Sequence, residues 1–372
     1  MAPEPTKNKK VRVGVIGGGY GRNHILAYQV CDDVEVAAFC QRTRAAAEKI
    51  AGEFHIPNVC TDYRDLLQMK ELDAVSIATP PHLHAAIALE AFSRGLHVLC
   101  EKPLALTRSE AETMLTEAEA AKRVHMTAFN FRFIPALRRM KELLEEGYLG
   151  ERIFHLDASW MSESRIASGA PLGWRHSKET AGMGVLGDTG VHLIDLVRWL
   201  AGDFSRVCGQ ATIFNKERRL PDGSGSAAVT VEDSCMFIAE IAGGVQAALH
   251  PSGVARGNIF QSIRIFGSEG VLRVEIDRKG PDWVVGKLFG ARAAGSHVEP
   301  LAIPDRLTQG LNLTDPKRVP GEFLFSNLTR RFIDAIRTGQ QAVPSFREGL
   351  EAQKVVDAVL RSVEEQKWVS VA

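Results

Sequence analysis

An α/β amino-terminal domain with a parallel, doubly wound sheet, followed by a half built of antiparallel strands, is the fold class this 372-residue sequence predicts. Three observations carry the prediction. Residues 11–129 alternate short apolar runs with amphipathic stretches. A cluster of four glycines in five positions interrupts the first alternation. From residue 151 onward the apolar residues recur every second position.

The apolar runs of the first part are VRVGVIG, VEVAAFC, DAVSIAT, HVLCEK and HMTAF, separated by helical segments such as AAIALEAFSRG. This β-α-β rhythm implies parallel strands, and ligands then bind beyond their carboxyl ends. The stretch GGGYG, residues 17–21, falls between the first strand and a helix opening near Arg22. Glycine lets backbone approach a ligand closely, and the helix amino terminus attracts phosphate, so a dinucleotide pyrophosphate is expected against Gly17, Gly19, Tyr20 and Gly21. The pattern is G-x-G-x-G rather than G-x-G-x-x-G. Thr79-Pro80-Pro81 and Glu101-Lys102-Pro103 end later strands and fall on the same rim.

The second strand runs into Gln41-Arg42-Thr43-Arg44 without the carboxylate that commonly binds the ribose of NAD. Arg42 can stack on adenine or pair with a 2′-phosphate and Thr43 can donate to it, which favours NADP with NAD as the alternative. Equally, Arg42 and Arg44 can be solvated charges opening the next helix.

Beyond a helix over residues 135–146, the segments ERIFHLDASWM, SCMFIAEI, VQAALH and SIRIFGSEGVLRVEI read as strands with one covered face, joined by turns such as Gly243-Gly244. Residues 216–227, KERRLPDGSGSA, read as a mobile loop and 278–320 as irregular chain. Helices over 322–338 and 346–365 close the sequence. The division expected is a flexible segment 1–10, a dinucleotide-binding domain 11–130, and a domain 131–372 for substrate and oligomerisation.

Composition narrows the function. Lys plus Arg and Asp plus Glu number 45 each, so no basic field favours nucleic acid or acidic membranes. The six cysteines form no C-x-x-C pair and read as reduced and buried. No H-E-x-x-H occurs, and no metal is expected. The polar start MAPEPTKNKK and the lack of 18 consecutive apolar residues give a cytoplasmic expectation, with no membrane partner.

Two constellations carry chemistry. A lysine at position 102, on the rim, can hydrogen-bond a substrate oxygen, and an oxidised nicotinamide nearby would lower its pKa; a strand-end salt bridge is the bland alternative. In GVLGDTGVHLIDLVRWL, residues 184–200, Asp188 and His192 stand four apart and share a face if one helix includes both. His192 can take a hydroxyl proton while Asp188 orients the sugar or the imidazole; alternatively Asp188 caps the helix and His192 packs in the core.

These residues in this order resemble the Gfo/Idh/MocA family, the glucose–fructose oxidoreductase and inositol dehydrogenase group. The resemblance runs from residue 11 to 371 through the glycine turn, Thr79-Pro80 to His84, GLHVLCEKPLALT, NFRFIPA, GWR, DTGVHLIDLVRWLAG and IRIFGSEGVLRV. It implies a Rossmann domain plus an α+β domain with a large open, mainly antiparallel sheet whose exposed face makes homodimers or homotetramers. It implies that Lys102, Asp188 and His192 are catalytic, that Thr79, Pro80, His84 and Glu101 join the cofactor site, that the bond before Pro103 is cis, and that Arg132, Trp174 and Arg175 line the substrate or nicotinamide pocket. The expected activity is hydride transfer between nicotinamide and a secondary alcohol or ketone carbon of a sugar, cyclitol or sugar derivative. Redox-neutral glycoside cleavage and a non-catalytic NADP sensor are the alternatives. The approach AGMGVLGD replaces a commoner triple-glycine run, and residues 161–173 match no subfamily, so the resemblance names no particular sugar.

Overall fold

The computed structural model describes residues 9–166, 170–257, 259–280, 282–292, 295 and 297–371. Residues 1–8 of the expected flexible segment, and 167–169 of the stretch with no subfamily match, lie outside the described residues.

Strands β1 (Val11–Ile16), β2 (Val34–Cys40), β3 (Asn58–Cys60), β4 (Ala74–Ile77), β5 (His97–Cys100) and β6 (His125–Thr127) form one parallel sheet in the order β3-β2-β1-β4-β5-β6. The helices α1 (Gly21–Gln29), α2 (Arg44–Phe54), α3 (Tyr63–Leu67), α4 (His84–Ser93) and α5 (Arg108–Ala120) connect successive strands. All four residues of β4 are buried and β1 is nearly so, which is why these runs are continuously apolar rather than alternating. The registers Ile16↔Cys40, Ile16↔Ile77, Ile77↔Cys100 and Cys100↔Thr127 end the strands on one line. Gly17, Gln41, Ala78, Glu101 and Ala128 therefore follow at a common rim. The strand order reverses between β1 and β4, where a crevice opens in folds of this kind.

The second sheet has nine strands. They are β7 (Ile153–Met161), β8 (Phe204–Thr212), β11 (Ser234–Ile241), β12 (Val245–Ser252), β13 (Phe260–Gly267), β14 (Gly270–Asp277), β15 (Lys287–Arg292), β16 (Glu299–Pro300) and β17 (Val369–Ser370), in the order β16-β15-β14-β13-β7-β12-β11-β8-β17. Only β7 and β12 pair in parallel, so the expectation of a mainly antiparallel sheet holds. Alternation along β11 and β12 buries Phe237, Ala239, Ala247 and Leu249 on one face and leaves Met236 and Ile238 half open on the other. Helices α6 (Pro135–Glu145), α8 (Val191–Ala201) and α10 (Phe346–Glu365) cover the buried face through residues such as Leu137, Met140, Leu193, Leu196, Val355 and Val359. A short helix α7 (Lys178–Ala181) precedes the segment that enters α8.

Several expectations need correction. Residues 216–227 are not an open loop: β9 (Glu217–Arg219) and β10 (Ser226–Ala228) pair as a small antiparallel ribbon. Its polar sequence hides the pairing because backbone bonds and a buried arginine hold it: Arg218 donates to the carbonyl of Arg165 at 2.6 Å. The region 278–320 supplies β15 and β16. The helix expected from 322 begins as a π-helical turn over Pro320–Phe325 and becomes α9 (Ser326–Thr338). The apolar stripe of this helix, Phe325, Leu328, Phe332 and Ile333, packs into the core of the first sheet with Val11, Ile25 and Phe39, so the chain crosses back after the second sheet is built. Helix α10 has the bounds 346–365 read from the sequence, and it spans both cores. Phe346 and Leu350 sit against the first sheet while Val355 and Val359 sit against the second, bracing the cleft between them. Among the described residues, all six cysteines are free; Cys208 is half-buried and the others are buried. No described helix is long and apolar enough to cross a membrane.

Candidate active site

The glycine turn explains itself atom by atom. Gly17 has φ of 113°, and a Cβ there would lie 2.3 Å from the carbonyl of Ala78. Its own N–H is used by Cys40 O at 2.9 Å. Around Gly19 nothing approaches within 4 Å of a Cβ position, and the N–H groups of Gly18, Gly19 and Tyr20 make no hydrogen bond to the described residues. With no acidic residue in the first turn of α1, these donors and the helix dipole form an anion cradle. Gly21 differs from the expectation. It is buried, its Cβ position is 3.3 Å from Val15, and it serves helix-on-strand packing rather than ligand contact.

The turn opens on a cleft of about 730 Å³ whose wall includes Gly17, Gly19, Tyr20, Arg42, Thr43, Thr79, Pro80, Glu101 and Lys102. Thr79 Oγ1 and Gln41 Oε1 are buried there without hydrogen-bond partners. Orphaned polar atoms beside a backbone cradle are what a bound dinucleotide would satisfy, so the residues present fit that group. Arg42 is exposed and has no partner among the described residues, and Thr43 is the N-cap of α2 yet its hydroxyl makes no capping bond. Asp62 and Arg64, for which the sequence carried no signal, line the same cleft.

His84 and Glu101 have different fates. The buried His84 ring reaches the carbonyls of Pro103 at 3.0 Å and Thr79 at 2.9 Å. It staples two rim loops together and does not line the cleft, contrary to its expected place in the cofactor site. Glu101 is buried on the wall, accepts from the Lys102 N–H at 3.2 Å, and lies 3.0 Å from His24 Nε2. His24 was legible only as one polar position in the buried stripe of α1.

The peptide bond before Pro103 is cis. Lys102 Nζ donates to Asp188 O at 2.6 Å and to Asp188 Oδ1 at 3.0 Å, while Arg175 Nε stands 3.8 Å from Asp188 Oδ2. Burial pushes the Asp188 carboxyl up, but Lys102 and Arg175 outweigh it and hold the group well below the usual carboxylate range. Burial likewise presses the Lys102 ammonium down, and the groups around it, Asp188 first and then Tyr20 and Glu101, together more than restore it, leaving the pKa raised. The expected lowering of Lys102 is therefore not a property of the protein alone: here the lysine is a fixed ammonium donor.

Asp188 lies in a π-helical turn, Leu186–Gly190, and His192 is the second residue of α8. Neither side chain caps the helix, and Asp188 turns to Lys102 rather than to the imidazole. His192 packs against Phe131 at 4.7 Å between centroids and stacks on Trp160 at 5.6 Å. Burial, then the charge of Lys102, depress its pKa well below 6.5, with Asp188 opposing. Nδ1 is buried without a partner among the described residues, which leaves Nε2 as the nitrogen open to solvent space. A neutral imidazole with one free nitrogen is a proton acceptor.

A second chamber of about 570 Å³ is lined by Asn130, Phe131, Trp160, Thr189, His192, Arg278 and Trp283 among others. Tyr20, Glu101, Lys102 and Asp188 belong to both walls, so the two spaces meet at these four residues. Trp174 and Arg175 line the dinucleotide side, the guanidinium lying 4.2 Å over the indole. Arg132 does not line either space. It is buried against Asp195, donating from Nε at 2.8 Å and Nη2 at 2.6 Å, and its expected substrate contact is replaced by a core ion pair. Phe131, Trp160 and Arg278 come from distant segments, and the sequence signal for them was no more than an aromatic in NFRF, one in a strand, and a charge after one.

Known proteins resemble this chain in sequence and fold. Residues 11–129 match the model of an oxidoreductase family with an NAD-binding Rossmann fold, and residues 137–273 match the GFO/IDH/MocA C-terminal domain. A levoglucosan dehydrogenase from Pseudarthrobacter phenanthrenivorans is 30% identical over 98% of both chains. D-apiose dehydrogenase from Paraburkholderia graminis is 27% identical over 98% of this chain and 91% of its own. The structure of levoglucosan dehydrogenase in complex with NADH and levoglucosan superposes with a TM-score of 0.89 at 30% identity, covering 98% of this chain and 100% of that one. With two matching domain models and end-to-end relatives, the chain belongs to the Gfo/Idh/MocA family of oxidoreductases, with an NAD-binding Rossmann domain.

Proposed function

We propose that the protein is an NADP-preferring dehydrogenase that oxidises a secondary alcohol of a sugar, cyclitol or sugar derivative, or reduces the corresponding ketone. The observation that carries this reading is the sharing of Tyr20, Glu101, Lys102 and Asp188 between the dinucleotide cleft and the second chamber, with His192 on the wall of the second chamber. When bound, the nicotinamide supplies a two-electron acceptor for the hydride of the alcohol carbon. His192 receives the hydroxyl proton on Nε2 as the carbon–oxygen double bond forms, and Lys102 donates a hydrogen bond to the same oxygen. Asp188 keeps Lys102 charged and retains acceptor capacity for a neighbouring hydroxyl. The aromatic surfaces of Trp160 and Phe131 flank the imidazole and exclude water from it.

The cofactor preference rests on the end of β2, where Arg42 has no partner among the described residues and the Thr43 hydroxyl makes no capping bond, with no carboxylate beside them in sequence. Levoglucosan dehydrogenase, by contrast, has been solved with NADH. Pairing of copies through the open face of the second sheet, around Met236 and Ile238, belongs to the same reading. The test is the near-ultraviolet absorbance of reduced nicotinamide in mixtures of the protein with NADP or NAD and a panel of sugars, cyclitols and uronates. Growth with one substrate class establishes the reaction. Silence across oxidation and the reverse reduction of ketoses, with cofactor binding demonstrated, would overturn it.

A further inference from the structure

Arg278 follows the last residue of β14 and reaches into the second chamber. Its guanidinium carbon lies 4.1 Å from the Trp283 ring centroid and 5.7 Å from those of both Phe131 and Trp160. Among the described residues the side chain has no hydrogen-bond acceptor and no carboxylate in ion-pair range, and three rings stand beside it. Near the junction Arg175 stands beside Asp188 and Arg165 donates to the carbonyl of Arg175 at 3.3 Å, while Arg42, also without a partner there, lines the dinucleotide cleft and not this chamber, so Arg278 is the arginine the second chamber presents among the described residues.

The carboxylates of the chamber are also occupied. Glu163 accepts from the Gly257 N–H at 2.6 Å and lies 3.6 Å from Lys279, Asp188 is held by Lys102, and Glu101 by His24 and the Lys102 N–H. Burial presses the Arg278 guanidinium down from its ordinary value, yet arginine stays charged in proteins. A part-buried guanidinium beside three aromatic rings gains cation–π attraction, but its planar fork of N–H donors meets no oxygen of the described residues. Carboxylate and phosphate oxygens match that fork. Phe131 and Trp160 flank Arg278 and His192 alike, so whatever fills the fork belongs to the same small molecule as the hydroxyl that His192 faces.

We infer that the substrate is a sugar bearing an anionic group, carboxylate or phosphate, which Arg278 holds while His192 faces a hydroxyl of the same molecule. This rests on the oxidoreductase reading above. A chamber of about 570 Å³ is of the size that takes a monosaccharide acid.

The experiment compares matched pairs with the full chain: glucuronate against glucose, galacturonate against galactose, gluconate against sorbitol, and glucose 6-phosphate as the phosphate arm. Steady-state kinetics is joined by calorimetric titration of the same compounds into protein loaded with reduced cofactor. At least one anionic member should exceed its neutral counterpart in kcat/KM and in affinity by roughly ten- to a hundredfold, the worth of a charged hydrogen-bonded contact. Which arm responds identifies the anion. Arg278→Met should collapse that ratio, mostly through KM, and Arg278→Lys should retain part of it. The wild-type comparison needs no variant and so survives a folding failure. Neutral sugars handled and bound as well as their acids would overturn the inference, as would an Arg278→Met protein that keeps the full anionic preference. Absence of hydride transfer to every compound would instead sink the oxidoreductase reading, while the titrations would still decide whether Arg278 selects anions.

Discussion

Lys102 Nζ sits 2.6 Å from the backbone carbonyl of Asp188 and 3.0 Å from its Oδ1, so one ammonium is gripped twice by a residue 86 positions away. The grip joins the rim of the parallel sheet to the turn that enters α8, and it makes the protonation of Lys102 conditional on Asp188. Asp188→Asn keeps the carbonyl and the shape but removes the charge that offsets burial. The Lys102 pKa should then fall, and an ammonium with a lowered pKa is lost earlier as pH rises. The expected result is a shift of the alkaline limb of the kcat/KM profile to lower pH, together with a loss of about two to four orders of magnitude in kcat/KM for Lys102→Met. An unmoved limb in Asp188→Asn would reduce the pair to a structural tie.

His192 is held neutral by burial first and by Lys102 second. In the oxidation direction the base form is the active one, so activity persists as pH falls below 6.5 and declines only well under it. In the reduction direction the acid form is required, and the rate rises as pH falls. His192→Asn should lower kcat by roughly two to four orders of magnitude while leaving cofactor affinity within about threefold, measured by fluorescence titration. A wild-type oxidation profile with its acid limb at or above the ordinary histidine value would contradict the assignment.

The parts of this site that were readable from sequence are the contiguous ones. The glycine turn, Glu101-Lys102-Pro103 and the Asp188–His192 segment each combine several constrained positions within a few residues, because a strand end must turn, present a group and enter a helix. Arg278 and Trp160 act singly and are brought together by the register of β7, β13 and β14, and Phe131 joins them from the turn before α6, a meeting that no local spacing encodes. The errors have the same origin. Arg132 and His84 stand inside motifs that border the cleft, yet the adjoining backbone rotates their side chains toward Asp195 and toward two carbonyls. The return of α9 to the first sheet is likewise invisible locally, since an amphipathic stripe says that a face is buried and not against which sheet.

Arg42 is exposed and has no hydrogen-bond or ion-pair partner among the described residues, so its removal breaks none there. Arg42→Ala should lower kcat/KM with NADP by roughly ten- to a hundredfold and alter the NAD value by less than about threefold, since a guanidinium–phosphate pair is a charge-assisted interaction that NAD cannot make. Equal losses with both cofactors would place Arg42 on the adenine face instead. No loss with either would make it a solvated charge.

The Arg132–Asp195 pair predicts a stability defect without a specific catalytic one. Both side chains are over nine-tenths buried and share two short hydrogen bonds, so Asp195→Ala strands a guanidinium in the core. Breaking such a pair costs about 3–5 kcal/mol, visible as a lowered denaturant midpoint with little change in KM of the protein that remains folded. A tenfold rise in KM at unchanged stability would return Arg132 to the substrate pocket.

Acid should loosen the brace between the two sheets. Phe346 N, at the start of α10, donates to His125 Nδ1 at 3.1 Å, and Val124 N donates to His97 Nδ1 at 2.8 Å. A ring nitrogen that accepts a backbone N–H cannot also carry a proton. Burial pushes both rings from 6.5 down to about 4. Below the unfolded value of 6.5 the unfolded chain binds more protons than the folded one, so the stability that the neutral rings confer is complete above 6.5 and lost as pH falls toward about 4. Thermal unfolding followed across this window should show Tm falling steadily. His125→Asn provides an acceptor that gains no proton, and its Tm should fall less steeply than that of the wild type over the same range. Parallel curves for the two proteins would show that the seam between β6 and α10 is not where acid acts.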